Sequence, residues 1–258
     1  MHRFYAPGLA FDRAIELPID EAHHLARVMR LKKGDEIAVF DGRGAEAAAR
    51  VEAVAGRRVT VRATAVRTPA AEPAIAITLA QALLKSDKMD RVIRDAVMLG
   101  AAAVRPFTSA RTEVPRAAVE RGGRQQRWDR TVIASVKQCG RAVIPPVLAV
   151  QPFREMLSSV QDELCLMFVE PANQTAPPTS SQGSVGRNFS CADLRTLETR
   201  VPAKVTILIG PEGGWDPEEV TEAVKGGVTM VTFGQRTLRA DAAGAIAIAV
   251  LQYVWKDL

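Results

Sequence analysis

The chain has 258 residues, 47% of them hydrophobic and 24% charged, which suits a globular protein with room for two modest cores. No apolar run approaches the roughly 20 residues of a membrane span, and the start, MHRFYAPGLAFDRAIELP, has no apolar export segment. Three scattered cysteines (Cys139, Cys165, Cys191) exclude a disulfide framework, and His2, His23 and His24 have no metal-ligand spacing. A reducing cytoplasm, no membrane and no metal are therefore expected.

The net charge of +5 is uneven. Residues 105–141 carry nine Lys/Arg against three acids, a net of +6, and residues 1–70 carry twelve bases against nine acids, a net of +3. Clusters of this kind fit a polyanionic partner such as RNA, or a solvated basic face.

In chain order, residues 1–70 read as a small β-rich domain. DEIAVFDGRG (35–44) and RRVTVRATAV (57–66) are strand patterns, with Asp41-Gly42 as a turn. A helix is expected over 20–31, capped by Asp20. TPAAEP (68–73) reads as a linker, and strands then alternate with helices. AIAITLAQAL (74–83) is a buried strand, 86–101 a helix with Ser86 as cap and Gly100 as stop, AVRPF (103–107) a strand and 124–140 a helix. LCLMFVE (164–170), VTILI (205–209) and VTMVTF (228–233) are further strands, and 241–255 is an almost wholly apolar helix that must be buried or lie in an oligomer interface. This alternation predicts an α/β domain with a parallel sheet over 74–258. The Pro/Ser/Thr-rich segment 171–203 interrupts it and is expected to be a flexible insertion.

ILIGPEGGWDPEEV (207–220) is the most informative stretch. Asp216, Pro217 and Glu219 have the spacing of a helix cap, a first-turn proline and a capping-box acid. The glycine-rich loop 210–215 therefore leaves a buried strand and enters a helix, where open α/β sheets bind ligands. It matches no phosphate motif, and Glu212 opposes an anion, so a neutral or cationic ligand fits better than phosphate. A tight turn with no ligand is the alternative. TFGQRTLRADAAGA (232–245) repeats the arrangement with Gly234 and a helix capped by Asp241, and brings Arg236 and Arg239 beside the same pocket. The two loops are expected to follow neighbouring strands.

LIGPEGGW and FGQRTLRADAA resemble the two C-terminal signatures of the RsmE family, the 16S rRNA (uracil-N3)-methyltransferases of the SPOUT, trefoil-knot superfamily. HRFYAP (2–7), HHLARVMRLKKGDEIAVFDGRG (23–44), QALLKSDKMD (81–90) and QCGRAVIPPV (138–147) fall in the family's order. The resemblance implies a PUA-like RNA-binding β-barrel over 1–70 and a knotted methyltransferase domain over 74–258, working as a homodimer on the small ribosomal subunit. It implies that S-adenosylmethionine is wrapped by Val169, Gly210, Pro211, Glu212, Gly213, Gly214, Phe233, Gly234, Thr237, Leu238 and Arg239. Arg3, Arg27, Arg30, Lys32, Arg111 and Arg141 are the expected RNA contacts. Ala240 and Asp241 depart from the usual Thr and Glu of the second signature, and Asp95, Met98 and Ala134 depart elsewhere; Arg239 is retained.

Uracil N3 is protonated at neutral pH, so methylation needs alignment and stabilisation of an imide anion. Arg239 suits the second task, with water or Asp241 as proton acceptor. His23 and His24 are expected to pack, Trp128 to lie in the core and Trp215 to flank the pocket or the core. The competing readings are a non-catalytic RNA-binding protein on the same fold and a SPOUT methyltransferase with another RNA target.

Overall fold

The computed structural model describes residues 1–171, 191–192, 194–199 and 201–257, so most of the expected insertion at 171–203 lies outside the described residues. The chain divides into two compact units, residues 1–72 with 132–144, and residues 73–131 with 145–258. The second is therefore not the continuous stretch that the strand–helix alternation suggests. The division falls inside a helix, Arg124–Cys139, a feature with no local signature in the sequence.

In the first unit, β1 (Arg3–Tyr5), β2 (Ile15–Glu16), β3 (Glu36–Phe40), β4 (Glu46–Ala55) and β5 (Arg58–Arg67) form one sheet in the order β1-β3-β4-β5-β2. Only β1 and β3 run parallel. Register shifts after Ala48 and Val51 mark bulges that curl the long β4–β5 ribbon around a core of Phe4, Leu25, Ile37, Val39, Val51, Val59 and Val61. Asp41 sets the turn as expected: its Oδ1 accepts from the amides of Arg43 at 2.7 Å and Ala45 at 3.0 Å. The expected helix over 20–31 is α1 (Ile19–His23) continued as one π-helical turn, His24–Val28. Asp20 does not cap it. Pro18 holds that position, which leaves Asp20 already inside the first turn.

Two expected RNA contacts belong to this unit's interior. Arg3 donates to the carbonyls of Val136, Lys137 and Arg141 at 2.8, 3.1 and 2.7 Å, and to Glu46 at 2.6 Å. A guanidinium there satisfies helix C-terminal carbonyls that have no partner within the helix. Arg141, 4% exposed, is forked onto Glu72. Both are structural, with their donors turned into the protein. Lys137 likewise bonds Glu21 at 2.8 Å and lies 3.2 Å from His24 Nδ1. The His24 ring tilts against Phe4, and burial followed by the Lys137 charge holds its pKa down. His23 is exposed, contrary to the packing role expected of it.

The second unit holds β6 (Ala76–Ala82), α2 (Lys88–Met98), β7 (Ala103–Thr108), α3 (Arg116–Arg121), the first turns of α4 (Arg124–Cys139), β8 (Gln151–Pro152), α5 (Phe153–Ser158), β9 (Leu164–Phe168), β10 (Lys204–Ile209), α6 (Pro217–Lys225), β11 (Thr229–Val231) and α7 (Ala240–Val254). Its six strands are all parallel, in the order β11-β9-β10-β6-β7-β8. Alternation along the strands gives the sheet two buried faces. Ala80, Ala82, Met167, Leu208 and Met230 pack with α5 and α6 through Phe153, Met156, Val220 and Ala223. On the other face Leu79 meets α7 at Gly244, where an added Cβ would lie 3.1 Å away. Helices on both faces are what a parallel sheet requires.

Helix ends differ from expectation. Asp87 is the N-cap residue of α2, and Ser86 sits outside the helix with φ +56°. At the other end Gly100 stops it as expected: with φ +89°, its amide bonds Val97 O and that of Ala101 bonds Ala96 O.

Candidate active site at the carboxyl ends of three strands

The two glycine-bearing loops leave β10 and β11, which are not neighbours, because β9 lies between them. The three strand ends surround a cavity of about 380 Å³, at the low end of the usual range for small-ligand sites.

The first loop is fixed by its own chemistry. Asp216 caps α6, accepting from Glu218 N at 3.0 Å, and Glu219 closes the capping box by accepting from Asp216 N at 3.1 Å. The second oxygen of Glu219 takes Ala110 N at 2.8 Å, which ties the loop to the turn after β7. Burial raises the Glu219 pKa, against the opposing pull of those two amides. Gly210 is dictated by Trp215: an added Cβ would sit 3.0 Å from the indole. That indole donates to Phe168 O at 2.8 Å and stacks on Phe107 at 5.9 Å, so Trp215 faces both the cavity and the core. Fully buried Gln81 donates to Gly210 O at 3.4 Å.

Gly213 is turned away from the cavity. Its carbonyl takes Arg111 at 3.3 Å, and a Cβ there would press on Arg111 at 3.2 Å. Arg111 also lies 3.7 Å from Asp216, so it is exposed but engaged. Gly234 also lies off the cavity wall; with φ +86° it turns the second loop. The other nine residues expected at the cofactor, from Val169 to Arg239, all line the cavity. On the second loop Phe233 stacks on Phe168 at 4.5 Å. Asp241 does not cap α7. Arg239 occupies that position, and Asp241 in the first turn takes the Arg239 guanidinium on both oxygens, at 3.0 and 3.3 Å.

The cavity wall carries three cations, Lys88, Arg236 and Arg239, and three carboxylates, Glu170, Glu212 and Asp241. Glu212 takes Lys88 Nζ at 2.9 Å and Lys85 N at 3.4 Å. Burial pushes its pKa up, but the bonds from Lys88 and from backbone amides bring it below the ordinary value. The hydrogen bond from Arg239 lowers Asp241, against some desolvation. Sequence reading missed Lys88 and Glu170. Each stood inside a noted segment, QALLKSDKMD and LCLMFVE, but neither segment shows which side chain faces a ligand.

An all-parallel sheet with a glycine-walled cavity at its strand ends, joined in one chain to a curled β unit, defines a two-domain α/β protein with a candidate small-ligand site. The family described as an RNA methyltransferase domain matches residues 71–252, and that described as an RNA methyltransferase PUA domain matches residues 17–64. The chain belongs to this family of RNA methyltransferases, with the RsmE proteins among its members. It is 29% identical to the ribosomal RNA small subunit methyltransferase E of Synechocystis over 95% of this chain and 74% of the relative. For that of Bacillus subtilis the figures are 28%, 91% and 88%. The structure of the Neisseria gonorrhoeae enzyme of that name, bound to S-adenosylmethionine, superposes with a TM-score of 0.81 at 30% identity, covering 99% of this chain and 98% of that one. A Legionella pneumophila methyltransferase with the same bound cofactor gives 0.82 at 26% identity, covering 97% and 96%. The second unit thus has the SPOUT α/β fold and the first the PUA-like fold.

Among the described residues, no helix is long and apolar enough to cross a membrane, and no cluster of His, Cys, Asp and Glu is placed to hold a metal ion.

Proposed function

We propose that the chain uses S-adenosylmethionine to methylate N3 of a uridine in the 16S rRNA of the small ribosomal subunit. The observation that carries this reading is the glycine-walled cavity in a chain that aligns almost end to end with proteins named ribosomal RNA small subunit methyltransferase E. The donor set fits the cofactor. Backbone at Gly210 and Gly214 permits close approach, Phe168, Val169, Ile209 and Leu238 offer apolar surface, and the carboxylates tolerate a cationic ligand. When bound, the cofactor supplies a methyl group activated by its sulfonium.

In this reading Arg239 stabilises the uracil anion. Asp241 grips its Nε and Nη2, which leaves Nη1 without a bond among the described residues and available to a carbonyl oxygen beside N3. Asp241 is a poor proton acceptor in this state, because the Arg239 bond lowers its affinity for a proton. The N3 proton would therefore pass to water, and Arg239 would hold the imide anion so formed in line for the methyl group.

Arg27, Arg30 and Lys32 remain exposed on the first unit and are the RNA contacts of this reading there; Arg236, exposed at the cavity rim, joins them from the second. The family resemblance also implies a knot and a homodimer. Helix α7 supports the dimer by leaving Tyr253 76% and Ile246 36% exposed.

The test uses methyl-labelled S-adenosylmethionine and small ribosomal subunits lacking the modification. Label recovered as 3-methyluridine is expected, and Arg239→Ala should lower the single-turnover rate by about 100-fold. Label in a different nucleoside, or a variant as fast as the parent, overturns the corresponding assignment.

A further inference from the structure

We propose that Glu170 binds the ribose of the cofactor, its two carboxylate oxygens accepting from the vicinal 2′- and 3′-hydroxyls. The inference rests on the reading that this cavity holds S-adenosylmethionine.

Of the three carboxylates on the wall, Glu212 is bound by Lys88 at 2.9 Å and Asp241 by Arg239 at 3.0 Å. Glu170 has no cation and no donor among the described residues. Its position is defined by the fold. It follows Phe168 and Val169 at the end of β9, the strand between the two loop-bearing strands. Its carboxylate rests against Gly214, where an added Cβ would lie 3.2 Å from Oε1 and where φ is +71°. A side chain at 214 would push the carboxylate away, so the glycine keeps it on the cavity wall.

The cavity has two chemically distinct ends. Lys88, Glu212, Arg239 and Asp241 act on one another: Glu212 favours the charged form of Arg239, and Lys88 that of Asp241. Glu170 makes no hydrogen bond or ion pair with this group among the described residues. Its neighbours on the wall are Phe168, Val169 and Gly214. The charged end suits the amino-acid part of the ligand and the reacting base, and the apolar end suits the nucleoside. A carboxylate at a nucleoside end finds its donors on the sugar, as an acidic residue does beside the ribose in dinucleotide-binding folds. Two adjacent hydroxyls match its two oxygens, and such charge-assisted bonds are short and strong.

The experiment is calorimetric titration of the full chain with S-adenosylmethionine, 5′-methylthioadenosine (which lacks the amino-acid end) and 2′-deoxy-5′-methylthioadenosine. Glu170→Gln and Glu170→Ala are compared with the parent; the side chain is exposed, so neither change threatens the fold. Glu170→Ala should weaken the first two ligands by the same factor, about 10- to 100-fold. Loss of the 2′-hydroxyl should weaken binding to the parent by about tenfold and to Glu170→Ala not at all. Loss of affinity for S-adenosylmethionine alone would place Glu170 at the ammonium and overturn the proposal, as would unchanged affinity for all three ligands. A folded parent that binds none of them would overturn the cofactor reading itself, and the proposal with it.

Discussion

The pairing of Arg239 with Asp241 is a two-residue device, and its charge state is testable apart from catalysis. Asp241 has a folded pKa below its ordinary 3.8 because Arg239 hydrogen-bonds the ionised form. The sign follows: the stability this pair contributes is present above the unfolded pKa and lost as pH falls through the depressed folded value. It is intact at neutral pH, so no loss of activity between pH 6 and 8 originates at Asp241. In Arg239→Ala the carboxyl should titrate at a higher pH than in the parent, as read by carbon NMR; an unmoved titration would mean that another group holds it. Residue-scale reading of the sequence expected Arg239, Gly210 and Glu212 at a ligand, and all three lie on the cavity wall. It gave no sign that Arg3 meets carbonyls 133 or more residues away or that Arg141 meets the Glu72 carboxylate, because a basic side chain looks the same in sequence whether it faces solvent or protein. Nor does the sequence show that a side chain at Gly213 would press on Arg111, at 3.2 Å, and not on the cavity.

At the scale of elements, α6 was legible to the residue and α1, α2 and α7 were not. Asp216, Pro217 and Glu219 form a reciprocal cap within four positions, which local chemistry alone determines. Asp20, Ser86 and Asp241 are equally good capping residues by type, but the incoming chain places Pro18, Asp87 and Arg239 at the boundary instead. Asp216→Ala should cost about 1 kcal/mol in chemical denaturation, the usual value of a cap. It should also weaken cofactor binding, because the same carboxylate lies beside Arg111 and the loop that lines the cavity. A stability loss with unchanged binding would show that the loop keeps its shape without the cap. β3, β5, β6, β7, β9, β10 and β11 were readable from apolar or alternating runs, whereas β1, β2, β4, β8 and the strand order were not. Nothing local states that β9 lies between β10 and β11, and that crossing makes Phe168, Val169 and Glu170 the middle of the site.

For the whole molecule, the first unit is assembled from two separated stretches, since residues 132–144 cluster with residues 1–72. Arg3 joins the two by holding three carbonyls of the later stretch together with Glu46. Arg3→Ala leaves Glu46, whose side chain is 4% exposed, with Arg67 as its remaining ionic partner among the described residues. The expected cost is about 3 kcal/mol in urea unfolding, with no change in the salt dependence of RNA binding. A flattened salt dependence with full stability would return Arg3 to the RNA surface. Trp215 carries a consequence of another kind. One face of its indole belongs to the cavity wall, and the rest is packed with Phe107 and Phe153 in the core. Folding and ligand capture are thus selected through a single ring. Natural variation at 215 cannot retune the ligand without also lowering fold stability, and this position should drift more slowly than the exposed residues 234–237 of the second loop.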